Sequence, residues 1–164
     1  HLRQLASPAR KSLMFASTSM VEGWAHYAEQ LMCEEGFGRE NPSIRLGQLA
    51  EALVRLCRLI VGIRLHTEDL SVEQGVRMFR ERAFLEEASA RREAERGTFD
   101  PGYVAYALGK LMILKLRDDA KAASRNFSLK DFHDRLLGGG VLPPGFHRQS
   151  MLGAGAGGPA ALIG

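Results

Sequence analysis

The chain is 164 residues long, 45% hydrophobic and 25% charged, which is enough to bury a core and ordinary for one globular domain. No run in it approaches the ~18 uncharged apolar residues of a membrane-spanning helix, and no basic segment precedes a short apolar one, so it shows neither a span nor a signal peptide. The net charge of +3 is spread through alternating Arg and Glu, as in RMFRERAFLEEASARREAERG, which reads as a salt-laced helix surface and excludes nucleic acid as the expected partner.

The pattern is helical almost throughout. A first helix is expected from about Ser19 to Glu35, stopping at Gly36. At 100° per residue Glu22, His26, Glu29 and Cys33 fall within about 60° of one another, opposite Met20, Trp24, Tyr27, Ala28 and Leu31. Glu22 and His26 are one turn apart, a spacing from which two side chains can meet one ion or its surroundings. A solvated stripe gives the same pattern, and Ser19–Glu22 also fits a capping box, in which Glu22 would serve only backbone amides. Gly23 weighs against the plainer reading. Glycine inside a helix costs about 1 kcal/mol against alanine, which suggests a close backbone approach there.

Asn41-Pro42 reads as an N-cap followed by proline at the first helical position. From there Leu46, Leu49, Leu53, Leu56, Ile60 and Ile63 recur at three- and four-residue steps, giving a long helix to about His66. Its polar stripe is Gln48, Glu51, Arg55, Arg58 and His66, and the apolar surroundings LIVGIRLH suggest burial near its end. Ser71 to Gln74 is a capping box that opens a third helix to about Gly97, with a break expected around Ala88–Ala90. Asp100-Pro101 opens a fourth, on which Tyr103, Tyr106 and Lys110 step along one face beside Gly109. A tyrosine hydroxyl there could donate to a developing oxyanion, and two aromatics at this spacing are equally what core packing requires. Ser128 to Asp131 opens a short fifth helix closed by Gly138-Gly139-Gly140. The last residues, LGAGAGGPAALIG, are Gly/Ala-rich, so residues 1–150 read as the helical part and 151–164 as a disordered tail.

The isolated Cys33 and Cys57 define neither a disulfide framework nor a zinc knuckle. No P-loop, nucleophile elbow or HExxH occurs. The fold class is all-α, an irregular array of about five helices.

Four segments stand in one order: EGWAHYAEQL, RLxxxxxGIRLHT, AxxEAERGTxDPxYxxYxLGK and FSLKDFHDRLLGGGVLP. Together they resemble the C-terminal part of the bacterial domain of unknown function 885 family, from about Ser7 to Pro144. The resemblance implies a gluzincin-like zinc metallopeptidase fold, in which two histidines of an HExxH-like motif (here tending to HExxPGH) and a glutamate on a later helix hold zinc. Carried over, Glu22 is the zinc-binding glutamate, while His26 and Glu29 orient it. His66 and Tyr106 would line the cleft and stabilise the tetrahedral intermediate of peptide hydrolysis; Tyr103, Arg58 and Lys110 are further cleft candidates, and counting does not settle which tyrosine faces the zinc.

The two zinc histidines and the glutamate between them are absent from this chain. His1 lies 21 residues before Glu22, but HLRQL is not the motif. Because the sequence starts at His1 rather than Met, a fragment or processed product is expected. The expectation is therefore a C-terminal portion that alone neither holds zinc tightly nor cleaves peptides, with the missing N-terminal half of the same protein as its partner and a peptide as substrate. Its apolar faces would be left open, or covered by self-association. The alternative is a non-catalytic helical module that binds peptide or protein. A di-iron bundle is disfavoured, because paired ExxH motifs are lacking. Compartment is left open.

Overall fold

The computed structural model describes residues 14, 16–157 and 159–162. Among these there are seven α-helices and no strand, so the chain is all-α. We number them α1 (Thr18–Glu34), α2 (Pro42–Thr67), α3 (Val72–Ala83), α4 (Glu87–Phe99), α5 (Ala105–Ala122), α6 (Leu129–Gly138) and α7 (Pro144–Leu152). The chain divides into two compact units, one of residues 1–24 and 109–164, the other of residues 25–108.

Local chemistry explains most helix boundaries. Asn41 caps α2 by accepting from the Ser43 amide at 3.1 Å, with Pro42 next in line where a missing N–H costs nothing. At α3 the capping box is complete: Ser71 Oγ accepts from the Gln74 amide at 3.2 Å, and Gln74 Oε1 accepts from the Ser71 amide at 2.7 Å. Ser128 caps α6 through the Asp131 amide.

The expected third helix is two helices, and its break lies earlier than Ala88–Ala90. Phe84 takes a left-handed conformation (φ 57°) and closes α3, while the Leu85 amide reaches back to Phe79 O at 3.2 Å. Packing demands this reversal. Gly75 of α3 lies against Ala94 of α4, which a continuous helix could not allow. Asp100-Pro101 opens a short 3-10 turn, Pro101–Val104, before α5 begins. The helix α7 was not anticipated, because its start, Pro143-Pro144-Gly145, reads as a turn; His147 and Arg148 on it are buried. Of residues 151–164, Met151 and Leu152 close α7, and 3-10 turns follow at Ala154–Ala156 and Pro159–Leu162.

The core of the second unit gathers Val54, Cys57 and Val61 of α2, Val76, Phe79 and Ala83 of α3, and Ala90 and Ala94 of α4. Burial among these apolar surroundings pushes the Cys57 thiol up, and the nearby Arg82 charge pulls it part of the way back. Burial near the end of α2 holds for Val61 and Gly62 but not for Ile60, Ile63 or His66. In the first unit Met20, Ile113, Leu116, Phe132 and Leu136 are buried, and the Trp24 ring meets His133 edge-on at 5.5 Å.

The glycine at position 23 has a steric reason. A Cβ there would lie 2.5 Å from Gly109 Cα and 2.8 Å from the Lys110 amide nitrogen, while one on Gly109 would lie 2.9 Å from Gly23 Cα. So α1 and α5 cross backbone to backbone within the first unit, an approach only glycine permits.

Candidate functional site

The eight residues singled out from the sequence divide between the units: Glu22 and Lys110 belong to the first, and His26, Glu29, Arg58, His66, Tyr103 and Tyr106 to the second.

Glu22 sits half-buried on the first turns of α1, next to the Gly23–Gly109 crossing. It does not complete a capping box. The Met20 amide reaches Ser17 Oγ at 3.3 Å and Ser17 O at 3.0 Å, so the helix is capped by Ser17 rather than Ser19. Five carboxylates are half-buried among the described residues: Glu22, Glu29, Glu93, Asp100 and Asp119. Four of them are paired with cations. Glu29 takes both Arg55 nitrogens at 2.7 and 2.9 Å, Glu93 takes Arg58 at 2.7 Å twice, Asp100 takes Arg96, and Asp119 takes Lys115 and Arg148. Glu22 alone of the five has no hydrogen bond or ion pair with a described residue. A partly desolvated carboxylate without a partner is costly, so this is the acid with unused binding capacity. Lys110, half-buried, follows Gly109 on α5.

In the second unit the aromatic and basic candidates do come together. Tyr103 is fully buried in a slot cut by two glycines, since a Cβ on Gly62 would lie 2.7 Å from Tyr103 Cε1 and one on Gly97 would lie 2.5 Å from its hydroxyl. The hydroxyl has no hydrogen-bond partner among the described residues. Burial, reinforced by the Glu93 charge, pushes its ionisation up to about 12. Tyr106 is half-buried, its ring under the Arg58 guanidinium at 5.7 Å and its hydroxyl against Arg96. Arg96 also covers the Tyr103 ring at 5.6 Å. His66 Nε2 donates to Gly97 O at 2.8 Å, on an exposed edge of the same neighbourhood.

Of the two remaining candidates in the second unit, Glu29 is committed elsewhere and His26 is enclosed. The bidentate pair with Arg55 engages the whole Glu29 carboxylate, and His26 is buried at 1% exposure. Sequence reasoning carried Glu93, Arg96, Gly97 and Asp100 only as letters of the AxxEAERGTxDP segment, with no role at the site. The Arg-Glu alternation hid the pairing of Glu93 among solvated neighbours. The fork of Arg58 on Glu93 raises the guanidinium's proton affinity further, so this arginine is a fixed cation.

Zinc held tightly by protein requires three donor side chains in most catalytic sites. Among the described residues no three His, Cys, Asp or Glu side chains are grouped to hold a metal ion. The described residues do not by themselves fit zinc, and Glu22 could be at most one of its holders.

Residues 1–151 match the family model described as "Bacterial protein of unknown function (DUF885)". No curated protein matches significantly. Two solved structures do. One, described as a "putative lipoprotein of unknown function" from Shewanella oneidensis, is 30% identical with a TM-score of 0.79 and matches over 85% of this chain. The other, a "putative lipoprotein" from Colwellia psychrerythraea, is 35% identical with a TM-score of 0.78 over 82% of this chain. The chain spans only about a quarter of each relative, 26% and 23% of their lengths.

Proposed function

This chain belongs to the DUF885 family of bacterial proteins, and from that premise we propose that it is the C-terminal portion of a zinc-dependent metallopeptidase. In this reading Glu22 is the one zinc-holding carboxylate the chain supplies, and the other holders come from outside it. The observation that carries the reading is the half-buried carboxylate of Glu22 on the EGWAHYAEQ helix, which has no partner among the described residues while every other half-buried acid among them is paired. The substrate class is a peptide.

Of the two tyrosines, Tyr106 is the better cleft donor. It keeps partial exposure and is held by two arginines, whereas Tyr103 is shut between Gly62 and Gly97. His66 has an exposed ring that its bond to Gly97 O orients. Both could donate to an oxygen that gains negative charge. Arg58 acts by holding the Tyr106 ring rather than by meeting substrate, since Glu93 already occupies its fork.

The test uses the family-length protein that contains this chain, with metal content and peptide hydrolysis measured on the same preparations. Glu22→Ala should lower zinc affinity by more than the ~10–100-fold typical of an outer partner, and Tyr106→Phe should lower turnover while metal content stays. Unchanged zinc affinity in Glu22→Ala would remove the ligand role and leave the non-catalytic helical module as the reading.

A further inference from the structure

The apolar three- and four-residue repeat of α2 does not face the core of its unit. Leu46, Leu49, Leu56, Ile60 and Ile63 are between 40% and 69% exposed, while Val54, Cys57 and Val61, on another side of the same helix, are buried. Leu53 alone of the repeat packs against the core. The spacing 46, 49, 53, 56, 60, 63 is the alternation of threes and fours with which one helix seats along another. Such a seam, about 27 Å long at 1.5 Å per residue, is more than the scattered single exposures that any surface shows.

We propose that this seam is a docking face for one amphipathic helix, contributed by the part of the family-length polypeptide that this chain does not contain. One observation chooses that occupant. Both solved relatives extend far beyond the matched part, so most of such a polypeptide is available to cover α2.

The proposal does not depend on the zinc reading; a protein in which Glu22 proves irrelevant to metal could still bury this seam. The experiment places a cysteine in the seam, Ile60→Cys, and follows maleimide labelling at that site by mass spectrometry in the 164-residue chain and in the family-length protein. Labelling should be fast in the chain and slower by on the order of 100-fold in the longer protein, as for a group reached only by local opening. Phe146→Cys in the first unit, exposed in the chain, monitors labelling outside the seam. A second arm keeps the two proteins as they are and adds Leu56→Ser, at a position 40% exposed in the chain. It should lower the thermal midpoint of the longer protein while leaving that of the chain nearly unmoved. Equal labelling of Ile60→Cys in both proteins overturns the proposal. So does a tight dimer of the 164-residue chain that Leu56→Ser dissociates, because the occupant is then a second copy.

Discussion

Tyr103 shows how one residue can be read two ways from its sequence and only one way from its surroundings. Its hydroxyl lies buried with no hydrogen-bond partner among the described residues, so removing it should cost nothing. We expect Tyr103→Phe to leave stability unchanged or raise it by about 1 kcal/mol, measured by urea unfolding. The same group predicts a pH effect. An unfolded tyrosine ionises near 10, but in the folded chain burial holds Tyr103 protonated up to about 12. Folding therefore binds the proton more tightly, and its contribution is complete below pH 10 and declines as pH rises from there toward 12. In Tyr103→Phe that part of the alkaline decline should disappear. Phe84 is the other residue held at a cost, a bulky side chain at φ 57° with 79% of its surface exposed. Phe84→Gly should stabilise the chain by about 1 kcal/mol, because glycine is the residue that helix ends prefer in this conformation. Loss of stability on that change would mean the ring makes a contact that outweighs its strain.

At the level of elements, the crossing of α1 and α5 is the most sharply constrained feature. Alanine inside a helix normally gains about 1 kcal/mol over glycine. At Gly23 and Gly109 that gain is outweighed, because the added carbon would meet opposing backbone rather than a side chain that could swing aside. Gly23→Ala should cost about 1–3 kcal/mol in thermal or chemical unfolding, and Gly109→Ala no less. A second element-level prediction concerns α5 and α7. Lys115, first, and then Arg148 hold the Asp119 carboxyl below the ordinary carboxylate range. Its stabilisation is thus present above the ordinary aspartate value and lost as pH falls through the lower folded one. Asp119→Asn should cost about 1–3 kcal/mol at neutral pH, since Arg148 is left buried without its carboxylate, and should flatten the acid limb of a stability profile. The elements themselves were largely legible. Asn41-Pro42, Ser71 to Gln74 and Ser128 to Asp131 are local signals, complete within four residues, and all three open helices where they stand. The reversal at Phe84 was not legible, because it is imposed by the packing of Ala94 on Gly75 and no turn residue announces it. The start of α7 was hidden for the opposite reason: Pro-Pro-Gly carries a turn signal that buried His147 and Arg148 override.

For the whole molecule, periodicity told which residues of α2 share a side but not which side the core would take. Two apolar sides compete on that helix, one closed by α3 and α4 and the other left open. The candidate site was legible as a set of residue types and not as a set of partners. Glu22 could be marked from its motif, while its lack of a partner among the described residues emerged only when Arg55, Arg58, Arg96 and Lys115 were seen committed to other acids. With no three-donor group among the described residues, the chain alone should show no tight zinc binding in a calorimetric titration. A saturable, high-affinity isotherm would point to holders outside the described residues.

The bond from His66 to the Gly97 carbonyl has one more consequence. A carbonyl oxygen can only accept, so the imidazole keeps a hydrogen on Nε2 whenever that bond is made. The basic lone pair of the neutral ring then belongs to Nδ1, and any proton the ring takes up arrives there. Nitrogen chemical shifts of a labelled sample would reveal this tautomer directly, with no substrate added.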